Sequence, residues 1–193
     1  PHVVRMWFQP DWLCETYDQY KNGKYDFDCQ KLQSVYHYLD IFKECGAEIE
    51  FNFGWKVTSH AQDWYSLDIG DKKRNSAPKE IDLFAKCCGA TLYELIKNRG
   101  YDNIKYLTFY NEPDDGNYSL KGDFVVGEGI DRRPYWEKMM RESYGELKRL
   151  GLGYIKIWGC EQSGSNAEQA EWITYMEEHC KDVINCHTDH RYR

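Results

Sequence analysis

Two kinds of link alternate along this chain, and their unequal lengths constrain its fold more than any single residue does. Runs rich in β-branched and aromatic residues at 3–8, 48–53, 104–110, 154–158 and 183–187 read as strands. Between them lie segments whose apolar residues recur at helical spacing. The first runs from Asp28 with Leu32, Val35, Tyr36, Leu39 and Phe42, the second carries Ile81, Phe84, Cys88, Leu92, Leu95 and Ile96. Helix-to-strand links are short, at 46–47, 100–103 and 151–153, and each begins on a glycine, the residue that ends helices in the left-handed region. Strand-to-helix links are long, at 9–27, 54–75 and 111–133. Strands alternating with helices predict a parallel sheet with crossover helices. The long loops then gather at the C-terminal ends of the strands, where parallel folds place their ligands.

Helix starts are marked by Ser76 and Pro78, by Pro134 and by Asn166. The third helix turns Trp136, Met139, Met140, Ser143, Leu147 and Leu150 inward, and the fourth Ala170, Ile173 and Met176. No G-x-G-x-x-G or G-x-x-x-x-G-K-[ST] follows a strand, which argues against a nucleotide-binding doubly wound sheet. With 193 residues the expectation is one domain over 1–193, large enough to bury a core. Formal net charge is −7 and no basic stripe runs along any segment, which speaks against nucleic acid as a partner. No apolar stretch reaches the roughly 20 residues a bilayer span requires. None of the eight cysteines forms a C-x-x-C pair, so a structural zinc is not expected; no cofactor is expected either. Several sit on apolar helix faces or in strands, as buried thiols do, which points to a reducing, cytoplasmic setting. Their even number leaves disulfide pairing open.

The most specific chemical signal is Asn111-Glu112-Pro113, placed where the strand Leu107-Thr108-Phe109-Tyr110 ends. Hydrolysis of a glycoside with retention needs two carboxyl groups roughly 5–5.5 Å apart, one acting as acid and then base, the other as nucleophile. An amide beside the acid can bond a sugar hydroxyl through the transition state. The strand ending in Asn-Glu-Pro resembles the fourth strand of the clan of retaining (β/α)8-barrel glycoside hydrolases that includes cellulases, mannanases and β-glucosidases. The stretch 81–110, with Leu95-Ile96-Lys97-Asn98-Arg99-Gly100 running into Ile104-Lys105-Tyr106-Leu107, is similar to the same enzymes.

The resemblance implies an α/β fold of the TIM-barrel type, present here as strands two to six, and a fragment that lacks the first strand and the last two. It implies Glu112 as general acid/base and Asn111 as ligand of the sugar 2-OH. It makes Arg5, on strand two, the cation that holds the nucleophile carboxylate. It also makes His190 and Tyr192, an His-x-Tyr at strand six, the lining of the sugar subsite; His187 competes with His190 for that place. The family's nucleophile, a Glu ending strand seven, falls outside this chain. Glu161 and Gln162, after strand five, are expected substrate contacts, and Trp55 an aromatic sugar platform. Trp7, Trp12, Trp64, Asn52 and Trp158 are further strand-end or loop candidates.

Hydrolysis of β-linked sugars by double displacement is thus the leading expectation, with an oligosaccharide or glycoside as partner. The alternative is a non-catalytic carbohydrate-binding barrel. Oligomeric state, linkage and exo or endo action are not legible.

Overall fold

A computed structural model describes residues 2–54, 64–69, 76–164 and 167–190. Five parallel strands form one sheet: β1 (Val3–Phe8), β2 (Glu48–Phe53), β3 (Ile104–Phe109), β4 (Lys156–Gln162) and β5 (Ile184–Asp189). Their spatial order is their chain order. A doubly wound sheet reverses direction at a switch point. None occurs among these strands, so their order is compatible with a segment of barrel wall.

Helices α1 (Tyr17–Lys21), α2 (Gln30–Glu44), α3 (Ile81–Tyr93), α4 (Arg133–Arg149) and α5 (Ala167–His179) make the connections. Helix α2 buries Leu32, Val35, Tyr36 and Leu39, the positions its apolar spacing predicts. Gly46 closes it with φ +67°, and Gly100 and Gly151 end later helical segments in the same region, with φ +78° and +73°. A Thr16/Gln19 capping box starts α1 inside the long loop after β1.

The core lies between sheet and helices. Strand β2, flanked on both sides, sends Ile49, Phe51 and Phe53 into it, where Phe53 stacks on Phe8 at 5.6 Å and meets the Phe84 edge at 5.2 Å. The intervening Glu48, Glu50 and Asn52 point to the opposite face, so one strand is apolar towards the helices and polar towards the site.

Several boundaries, and the inward face of one helix, differ from the sequence reading. Helix α3 starts at Ile81 rather than at Ser76 or Pro78; Ser76 instead bridges to Val125, tying two loops together. Strand β4 runs to Gln162, past the expected end at Trp158, so Glu161 and Gln162 are strand residues and not loop residues. Strand β5 spans Ile184–Asp189 rather than 183–187. On α5 Met176 is buried as expected, but Ala170 and Ile173 are exposed, the latter at 40 %, and the large inward residue is Trp172, fully buried against Trp136. A tryptophan one position away outcompetes isoleucine because it buries more apolar area. Asn166 lies outside the described residues.

All eight cysteines are free thiols, with Cys14, Cys87, Cys88, Cys160 and Cys180 buried. Burial pushes the Cys88 thiol above its ordinary value and raises Cys14 and Cys180 to about 12. No described helix is long and apolar enough to cross a membrane.

Candidate active site

The chain leaves β3 through two unusual backbone positions. Tyr110 has φ +63° and Glu112 φ +44°, both left-handed in residues other than glycine. Such positions cost on the order of 1–3 kcal/mol each and persist only when their surroundings hold them. Here the holding is visible. The fully buried Tyr110 ring packs on Phe124, and its hydroxyl shares a 2.7 Å hydrogen bond with that of Tyr65. Trp136 Nε1 donates to Phe109 O at 3.0 Å, and Asn52 Nδ2 to Tyr110 O at 3.3 Å. The reversal turns Asn111 and Glu112 towards the polar face of the sheet, and Asn111 pairs with Glu161 of β4 in an isolated parallel bridge.

Arg5, on β1, is the hub beneath them. Its Nη2 donates to Asn111 Oδ1 at 3.0 Å and forms an ion pair with Glu161. Its Nη1 lies 3.0 Å from His190 Nε2, and its Nε lies 3.8 Å from Glu50 Oε1. The guanidinium also lies over the Trp7 ring, 4.7 Å from its centroid. A guanidinium donates only, so His190 Nε2 accepts and the ring proton sits on Nδ1. That proton faces Glu112 Oε1 at 2.7 Å. Arg5, His190 and Glu112 therefore form a directed relay of donors, from β1 through the end of β5 to the loop after β3.

Glu161 is almost wholly buried; its side chain is 3 % exposed. Besides Arg5 it accepts from Asn52 Nδ2 at 2.6 Å. Glu50 accepts from Thr108 Oγ1 at 3.1 Å; burial pushes its carboxyl up, and the Arg5 charge and the Thr108 bond oppose that shift. Two buried carboxylates thus share one arginine.

The structure brings Arg5, Asn111, Glu112, Glu161 and His190 into one cluster. His187 is elsewhere, 2.5 Å from Glu177 on α5. Trp55 and Tyr192 lie outside the described residues. Trp64 packs on Tyr20 and Tyr65, Trp12 on Phe8, and Trp158 on Tyr106 at 4.3 Å. Trp7 remains 40 % exposed.

Three participants were not singled out from sequence. Glu50 and Thr108 follow from strand alternation once β2 and β3 are placed. Asp123, which accepts from Asn111 Nδ2 at 2.9 Å, lies in a loop with no periodicity to read. That loop folds around Arg132, whose buried guanidinium donates to the carbonyls of Pro113, Asp115, Ser119 and Lys121.

No family model and no curated protein matches the chain. Among solved structures it is similar to a GH26 β-mannanase from Bacteroides ovatus, with 12 % sequence identity and a TM-score of 0.57. The likeness covers 99 % of this chain and 53 % of that one, so the chain spans about half the length of that enzyme. At this identity the likeness is one of fold.

Proposed function

We propose that this chain carries the acid/base side of a glycoside hydrolase site acting on β-linked sugars with retention of configuration. The observation that carries the reading is the cluster itself: a carboxyl at the C-terminal end of a parallel strand, partly exposed, with an amide on its neighbour and a histidine donor on its oxygen. Glu112 first protonates the departing glycosidic oxygen and then, as carboxylate, takes a proton from water. Asn111 offers its amide to a sugar hydroxyl. Arg5 and His190 hold the two in register.

The nucleophile is assigned to none of the described acids. Glu161 is committed to Arg5 and Asn52. The proposal places the attacking carboxylate on a strand beyond β5 in a complete barrel, roughly 5–5.5 Å from Glu112.

Likeness to a β-mannanase makes β-linked manno-oligosaccharides the first substrates to test. In the intact protein, Glu112→Gln is expected to lower turnover of poor leaving groups by about 10²–10⁴. Glycosides with strongly acidic leaving groups need no proton and keep their glycosylation step. Azide, which attacks the glycosyl intermediate without a base, restores turnover of those activated substrates. Unchanged turnover of poor leaving groups in the variant removes Glu112 from the role.

One observation favours a second reading. The cation that would steady a nucleophile already engages Glu161, Asn111 and His190. A barrel that binds glycan without cleaving it fits that arrangement. Binding of mannotetraose by the wild-type protein, with no turnover even of activated glycosides, selects this reading over the first.

A further inference from the structure

An asparagine side chain has two ends of nearly equal size and opposite hydrogen-bonding character, so its orientation is decided by its partners. At Asn111 both partners are unambiguous. Arg5 Nη2, which only donates, lies 3.0 Å from Oδ1. The Asp123 carboxylate, which accepts, lies 2.9 Å from Nδ2. Turning the amide over sets donor against donor at Arg5 and acceptor against acceptor at Asp123. Arg5 alone fixes the oxygen; without Asp123 the nitrogen end has no acceptor among the described side chains.

Asp123 is itself held from both directions. Before it, the loop is gathered by Arg132, which takes the carbonyls of Ser119 and Lys121. After it, Phe124 is fully buried against Tyr110, and the carbonyl of the buried Val125 accepts from Ala77 N at 2.9 Å. The carboxylate is therefore anchored by packing rather than carried on a free loop tip.

We infer that Asp123 is a positioning residue of the Glu112 site: it locks the Asn111 amide so that the second Nδ2 hydrogen stays available as a donor to an oxygen of the bound ligand. The meaning of that donor rests on the glycosidase reading, but the locked orientation does not. It also implies that the ligand group met by Asn111 is an acceptor such as a sugar hydroxyl oxygen. A group that only donates finds no new partner at Nδ2.

The test reads the amide directly. In the ¹⁵N-labelled wild-type protein, one of the two Asn111 side-chain protons is expected to lie downfield of its partner and to exchange more slowly with solvent. In Asp123→Ala the downfield proton moves to the position of a solvated amide, while the Glu112 backbone resonance of the folded protein stays. If Asp123→Ala does not fold, the isosteric Asp123→Asn is read the same way and shows a smaller downfield displacement. An Asn111 proton pair unchanged in a folded variant overturns the inference. A second arm uses mannotetraose: loss of one oriented hydrogen bond predicts roughly a three- to tenfold fall in kcat/KM. Absence of turnover in the wild type counts against the glycosidase reading alone, since the resonance test does not depend on it.

Discussion

Nδ1 of His190 stands 2.7 Å from Oε1 of Glu112, and Arg5 at the other ring nitrogen decides that this nitrogen carries the proton. The pair joins the end of β5 to the loop after β3, 78 residues apart in sequence. A carboxyl at a left-handed backbone position gains from being pinned in this way, because its own main chain is strained.

On the glycosidase reading, His190→Ala removes the pin without removing the proposed acid, Glu112. Turnover of poor leaving groups is expected to fall about ten- to a hundredfold, less than the loss in Glu112→Gln, because the proton donor remains but is misplaced. His190→Gln, which keeps an N–H donor, recovers part of the loss. The check is kcat with matched good and poor leaving groups in both variants. Equal rates in all three proteins would show that the 2.7 Å contact does not position Glu112.

The Arg5 cluster makes a different prediction, about stability. Replacing Arg5 by Met leaves Glu161 and Glu50 buried without their cation, and breaking a buried pair costs on the order of 3–5 kcal/mol. Glu161→Leu added to Arg5→Met takes away one of the stranded charges and restores part of that stability. Urea unfolding of the two variants measures both effects. A double variant no more stable than the single one would mean that Glu161 was not the charge left stranded.

How much of this was legible in sequence differs by level. The parallel α/β architecture followed from link lengths and glycine stops, since those features are local and each is set by backbone geometry. The end of β4 was placed too early, at 158; pairing with β5 as far as Gln162 keeps the strand going, and that partner arrives from later in the chain. Asn111 and Glu112 were readable because they follow a strand end in a motif with a family resemblance, and Arg5 because the same resemblance marks a cation inside an otherwise apolar strand. The Asp123 contact and the His190 tautomer were not, because both depend on where a long loop and a distant strand arrive in space. Composition carried little of the site. The tryptophans that can be described pack mostly against aromatic neighbours, and Trp7 is the most exposed of them.

Gly54 offers a test of how Tyr110 is held. It has φ +83°, and a methyl group there would stand 2.6 Å from Cε2 and 2.9 Å from Cδ2 of Tyr110. Gly46 is a fitting control, with φ +67° and open space around the same methyl position. Gly46→Ala pays only the left-handed penalty, about 1–2 kcal/mol. Gly54→Ala adds a collision with a fully buried ring whose hydroxyl is tied to Tyr65, so its cost is expected to exceed the control by at least about 1 kcal/mol. It should also lower ligand affinity at the Asn111-Glu112 turn, which Gly46→Ala leaves untouched. Equal unfolding midpoints for the two variants would mean that Tyr110 has room to move.

Asp114, two residues beyond Glu112, ties this turn to β4, accepting from Ser163 N at 3.0 and 3.1 Å and from Ser163 Oγ at 3.3 Å. Burial pushes its carboxyl up to about 6 against these bonds, from an ordinary value of 3.8. A carboxyl with a raised value favours the folded state while protonated. Its contribution is fully present below pH 3.8 and is lost as pH rises through about 6. A displacement of this size corresponds to roughly 3 kcal/mol across the window. Asp114→Asn keeps an acceptor for Ser163 N and cannot ionise, so the variant lacks that slope. The expected result is a stability difference between variant and wild type that grows in the variant's favour from pH 4 to pH 6.5 and levels off above. It is measured by urea unfolding at fixed ionic strength. Parallel pH dependences in the two proteins would show that Asp114 ionises as an ordinary carboxylate and that its burial at the turn carries no proton linkage.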